Sequence, residues 1–268
     1  MLVIILGIIL DGDANLFSND VEICNFEEID LKDAVVIAGF PSIGLVSTIA
    51  ANYLIDALNL KQIGSITSPQ FPALSVVHTG EPLSPVRIYS GVQPGAGKIV
   101  VFVSEFKPKP NLINSISETI MKWVSEKKCK LLISPEGMVV EGKDSGDDEN
   151  VEAYAIGSTE QARGMLMSKN IAQFKNGIIA GVSGVLLNLG KQAKVDVISI
   201  LAEAHPNYPD ARAAAAAINV MANIMGIEIN VKPLYEESER IEMQLQKMHK
   251  QAKPMVSSSQ APQPNMYG

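Results

Sequence analysis

The sequence predicts an α/β fold, with a parallel or mixed sheet covered by helices, on two observations. Hydrophobic residues make up 47% of the 268 but aromatic residues only 5%, so the apolar content is mostly Ile, Val, Leu and Ala. That composition suits strands buried on both faces with helices packed over them. Short β-branched runs also alternate with longer stretches of helical period. The sequence has no internal repeat, and no linker of low complexity interrupts its body. One α/β domain is therefore expected over 1–251, including a C-terminal amphipathic helix at about 235–251, followed by a flexible, disordered tail over 252–268.

Each element has its own local reason. The opening run MLVIILGIIL is about half the length a membrane-spanning helix needs and has no basic residues before it, so it reads as a buried strand. Ala34 to Ala38 is a continuous apolar strand that enters the turn GFPSIG and then a helix, in which Ile49, Tyr53, Leu54 and Leu58 recur at helical spacing. Strands follow at Ile63 to Thr67, Leu74 to His78, Val86 to Ser90 and Lys98 to Ser104, punctuated by Gly and Pro. A helix is expected from Asn111 to Lys128, and a strand from Lys130 to Ser134. The acidic stretch EGKDSGDDENVE, Glu141 to Glu152, is too polar to pack and reads as a surface loop. Beyond it come a short helix over Thr159 to Ser168, a strand-and-turn unit at GIIAGVSGVLL, and a strand at VDVISILAEA. DARAAAAAINVMANIM then runs as a helix until Gly226, a residue suited to the position after a helix end.

Charge and chemistry exclude several classes. The net charge is −7 with dispersed Lys and Arg, which leaves no electrostatic footprint for nucleic acid. Cys24 and Cys129 stand far apart in no CxxC, as suits a reducing, cytoplasmic setting without a disulfide scaffold or structural zinc. His78, His205 and His249 lie outside metal-ligand spacing of one another, so neither a metal nor a cofactor is expected.

Four features in the body resemble chemical sites. Gly39 to Gly44 occupies the strand-to-helix position where α/β proteins hold phosphate, but it lacks the Lys of a P-loop and the central Gly of a dinucleotide fingerprint, which favours tight packing. Gly181 to Gly184 (GVSG) approaches a nucleophile elbow, yet Val185 stands where Gly is required, which favours glycines that let a sheet pack against Leu186 and Leu187. Glu105, Glu136 and Glu203 each close an apolar run where catalytic carboxylates sit in α/β enzymes, and Glu136 in SPEGM is the most site-like. His205 to Asp210 (HPNYPD) reads as a rigid turn capping the Ala-rich helix.

The C terminus carries a stronger signal. Met266, Tyr267 and Gly268 fit the pattern hydrophobic residue, Tyr, any residue, carboxyl terminus, after a stretch rich in Pro, Ser and Gln. A Tyr ring is a rigid anchor with a polar tip, and a terminal carboxylate pairs with a pocket Lys. The ~15 residues before Met266 would reach roughly 20 Å as a coil and about 50 Å when stretched. Just upstream, Ile241, Leu245 and Met248 form a narrow apolar stripe at helical spacing, a candidate contact between subunits or with the domain.

In that order, AVVIAGFPSIGLVSTIAANYLIDAL, PVRIYSG, GVSGVLL and EAHPNYPDARAAAAAINVMANIMGIEINVKPLYEESERIE resemble the proteasome assembly chaperone family in its archaeal branch, of the PbaA and PbaB type. The similarity runs from about Asp33 to Glu242 and rests on order and spacing. It implies a three-layer sandwich around a central mixed sheet, similar to purine nucleoside phosphorylases, and a non-enzymatic, ATP-independent homo-oligomer. It further implies that Met266, Tyr267 and Gly268 dock into pockets between α subunits of the proteasome core particle, as assembly factor or activator. The kinship with phosphorylases leaves one alternative, an enzyme acting on a nucleoside or similar small molecule near Glu136 or Ser183.

Overall fold

A computed structural model describes residues 21–139 and 151–237. The N-terminal run, residues 140–150 with most of the acidic stretch, the stripe at Ile241, Leu245 and Met248, and the tail with Met266, Tyr267 and Gly268 lie outside the described residues.

Ten strands are present among the described residues: β1 (Glu22–Asn25), β2 (Val35–Gly39), β3 (Lys61–Thr67), β4 (Val76–His78), β5 (Glu81–Leu83), β6 (Val86–Gln93), β7 (Gly97–Ser104), β8 (Leu131–Met138), β9 (Ala153–Gly157) and β10 (Val197–Glu203). Five α-helices lie wholly within the described residues, α1 (Val46–Ala57), α2 (Pro110–Glu126), α3 (Glu160–Ser168), α4 (Gly181–Ala193) and α5 (Ala211–Met225), with a 3-10 turn at Ile43–Leu45 and a further helical stretch at 232–237. Eight strands form one mixed sheet in the order β1-β3-β6-β7-β2-β8-β10-β9, while β4 and β5 make a separate hairpin. The central four, β7, β2, β8 and β10, run parallel, and antiparallel strands flank them on both sides.

Helices cover both faces, which makes three layers. Side chains alternate along each central strand. Val35 and Ile37 of β2, with Ile99, Val101 and Val103 of β7, join α1 and α5 in one core. Val36 and Ala38, with Val100 and Phe102, join α2 and α4 in the other. Phe102 is fully buried and meets Trp123 edge-on, with ring centroids 5.2 Å apart. At the end of β2, a Cβ on Gly39 would lie 2.2 Å from the Cβ of Ala51, so only Gly lets α1 pack this closely on the sheet.

One expectation is corrected. GVSGVLL is helical, the first half of α4, not a strand-and-turn unit beside the sheet. Val182, Ser183, Leu186 and Gly190 are its buried residues, a helical spacing that a short apolar run conceals. Two other strands have no strong period in the sequence. β1 is a short edge strand, and β9, whose one strand partner among the described residues is β10, otherwise meets only a bridge from Ala155 to Gln173. β8 also continues past Ser134 through Pro135 and Glu136.

The start of α5 is fixed by its cap. Asp210 is 3% exposed, and its carboxylate accepts from the backbone N–H groups of Ala213 and His205, each at 3.0 Å. The N–H of Asp210 in turn donates to the carbonyl of Gly44 at 2.8 Å, which ties this cap to the GFPSIG turn. Asp210→Ala is expected to lower unfolding free energy by about 2 kcal/mol, since it removes a helix cap and strands a buried N–H. Urea denaturation would check this, with Asp210→Asn recovering about half of the loss.

Candidate functional site

The parallel strands set the position of the candidate site. After β2 the chain turns to the face that carries α1, and after the neighbouring β7 it turns to the opposite face, which carries α2. Connections that diverge in this way leave a crevice at the C-terminal ends of the strands. The crevice here is a cleft of about 650 Å³. It is bounded by the GFPSIG turn, the segment Lys107–Pro108, the end of β8 and the approach to α4.

Glu136 stands at the base of this cleft, on β8. The hydroxyl of Ser183, from the first turn of α4, donates to its Oε1 at 2.5 Å. Ser183 is also in short hydrogen-bond contact with Ser134. Because Ser183 has a single proton and gives it to Glu136, the proton in the second bond comes from Ser134. Both serines are 1% exposed, so neither hydroxyl is open to the cleft. Ser42 lies on the other side, where its Oγ accepts from the N–H of Ser47 at 3.2 Å and from the N–H of Gly137 at 3.3 Å.

Burial dominates the electrostatics of Glu136. It pushes the carboxyl up to about 7, against the opposing pull of the Ser183 hydroxyl, the charge of Lys107 and the Ser42 hydroxyl. At neutral pH the group is therefore divided between acid and carboxylate, able either to donate or to accept. Among the described residues no cation lies within 4.0 Å of it.

The other features singled out from sequence are placed apart from this chemistry. Glu105 pairs with Arg87 at 2.5 Å, and Arg87 also donates to Tyr89, so this carboxylate anchors β6 to the chain after β7. His205 stacks on Tyr208 with ring centroids 3.8 Å apart. His78 belongs to the β4–β5 hairpin. No group of three or more His, Cys, Asp or Glu among the described residues is arranged to hold a metal ion. The structure unites Glu136, Ser183 and the GFPSIG turn, three features that stand well apart in the chain. Ser42 comes with the GFPSIG turn, whereas nothing in the local sequence marks Ser134 or Lys107.

Comparison with known proteins places this architecture. A model of the PAC2 family matches residues 36–249. An uncharacterised protein of Methanocaldococcus jannaschii is 30% identical over 238 residues, which span 88% of this chain and 94% of the relative. The crystal structure of Pyrococcus furiosus PbaA, an archaeal homolog of proteasome-assembly chaperone, superposes with a TM-score of 0.77 at 30% identity and covers 89% of this chain and 95% of PbaA. Pyrococcus furiosus PbaB, an archaeal proteasome activator, superposes with a TM-score of 0.76 at 23% identity over 87% of this chain and 100% of PbaB. At that identity the likeness to PbaB is one of fold.

Proposed function

The chain belongs to the PAC2 family, and from that premise we propose that it is a proteasome-binding protein, an ATP-independent assembly chaperone or activator without enzymatic activity. The observation that carries this reading is the 30% identity to PbaA across 89% of the chain. In this reading Met266 and Tyr267 are the anchor of a tethered docking motif, and the carboxylate of Gly268 its charged end. The partner is the α-ring of the proteasome core particle, whose inter-subunit pockets receive the motif. Homo-oligomerisation, with Ile241, Leu245 and Met248 as contact residues, presents several tails at once. Linked tails raise avidity by orders of magnitude when their spacing lets two engage together.

The test compares the full chain with Tyr267→Ala and with a chain ending at Asn265, by native gel with the matching core particle and by hydrolysis of a fluorogenic peptide. Loss of binding in both variants is the expected result. Stimulated hydrolysis by the full chain, lost with the tail, identifies an activator. Binding without stimulation identifies an assembly factor. Binding that survives in both variants overturns the role of the tail.

A further inference from the structure

The cleft at Glu136 has features that binding through the C-terminal motif does not use. Its volume falls in the range of small-molecule sites, roughly 300 to 1,000 Å³. Phe40, Ile113, Phe174, Ile179 and Leu201 give it apolar walls, while Glu136 and Lys107 are the two charged residues among its described lining. A carboxyl set among such walls either takes up a proton or, when ionised, is matched by a counter-charge. Here the described partner within hydrogen-bond distance is the hydroxyl of Ser183, and none of the described ion pairs includes Glu136. Lys107 is exposed and stands farther than 4.0 Å away.

We propose that this cleft binds a small organic cation, an amine or amidine carried on an apolar body, with the cation seated on Glu136. The ligand supplies a counter-charge that no described residue places within 4.0 Å of Glu136, and its body covers the apolar walls. Two phenylalanines, Phe40 and Phe174, are among the lining residues, and aromatic side chains attract cations. An anion would meet Lys107 at the rim but would face the Glu136 carboxyl at the base. A cation meets the reverse arrangement, so Lys107 opposes entry without occupying the seat.

The affinity is pH-dependent, with a calculable sign. The carboxyl titrates at about 7 and gives up its proton when the cation binds. The groups facing it are the Ser42, Ser134 and Ser183 hydroxyls, which do not titrate in this range, and the Lys107 side chain. Binding therefore weakens about tenfold between pH 8 and pH 6.

Isothermal titration of the full chain with benzamidine, benzamide and benzoate tests the proposal, because the three probes share a ring and differ in head-group charge. Benzamidine is expected to bind at least tenfold more tightly than the other two at pH 8, and about tenfold more weakly at pH 6 than at pH 8. Glu136→Gln, shown to be folded by circular dichroism, should abolish that binding. Lys107→Gln should tighten it several-fold. This variant and the pH profile of the wild-type chain carry the test if Glu136→Gln does not fold. No benzamidine binding, equal binding of benzamide or benzoate, a flat pH profile, weaker binding by Lys107→Gln, or unchanged binding by Glu136→Gln would each overturn the proposal. Because the tail is untouched throughout, these outcomes are independent of the proteasome reading.

Discussion

Gly137→Ala is expected to lower the unfolding free energy by about 3 kcal/mol, the sum of an overpacking strain and two displaced hydrogen bonds. A Cβ at this position would lie 2.0 Å from the carbonyl oxygen of Ile43 and 2.8 Å from its carbonyl carbon. Neither neighbour is a flexible side-chain end. β8 cannot retreat, because Gly137 is in parallel register with Ala202 of β10 and Glu136 with Leu201. The GFPSIG turn moves instead, and with it Ser42, whose Oγ receives the N–H groups of Gly137 and Ser47. Urea denaturation of the variant should show a lower midpoint at unchanged slope. A loss under 1 kcal/mol would mean that the turn yields freely and that the mouth of the cleft is soft.

Glu136→Gln should have the opposite effect on stability, and only above acid pH. The carboxyl is raised from 4.5 to about 7 by burial. Below pH 4.5 it is protonated in both folded and unfolded chains, and contributes no pH dependence. Between about 4.5 and 7 the unfolded chain releases the proton while the folded chain holds it, so wild-type stability falls as pH rises. Above about 7 both states are ionised and the difference is constant. At about 1.4 kcal/mol per pKa unit, the penalty reaches on the order of 3 kcal/mol. Gln is isosteric, still accepts the Ser183 hydroxyl through its amide oxygen, and does not titrate. The variant is therefore expected to match the wild type at pH 4 and to exceed it by about 2 to 3 kcal/mol at pH 8. Urea midpoints measured across this range would settle it, and a variant less stable than wild type at pH 8 would mean that the ionised carboxyl is supported in the fold.

How far the sequence reaches depends on the range of the interaction. The central strands and α1, α2 and α5 are legible because each shows its own period: AVVIA reads as strand, and the Ala-rich run between Asp210 and Gly226 reads as helix with both ends marked. α4 misleads, since Val182, Leu186 and Leu187 among glycines look the same in a buried strand as in a buried helix. β9 is held by its pairing to β10 and has little period of its own. Of the site, Glu136 is visible as a carboxylate closing an apolar run, but its environment is not. Ser183 is 47 residues away in the chain and Ser42 is 95 from Gly137, so the contacts that shift its acidity come from sheet order and not from local pattern.

The position of β10 between β8 and β9 bears on how the chain emerges from the ribosome. β8 ends at Met138 and β9 at Gly157, yet the strand that joins them starts at Val197. During synthesis of the intervening stretch, β8 presents an open apolar edge, and β9 has no sheet to join. Such edges recruit other chains. The nascent protein is thus most exposed to aggregation just before Glu203 is added, and a product truncated short of Val197 would be a target for holding chaperones and proteases.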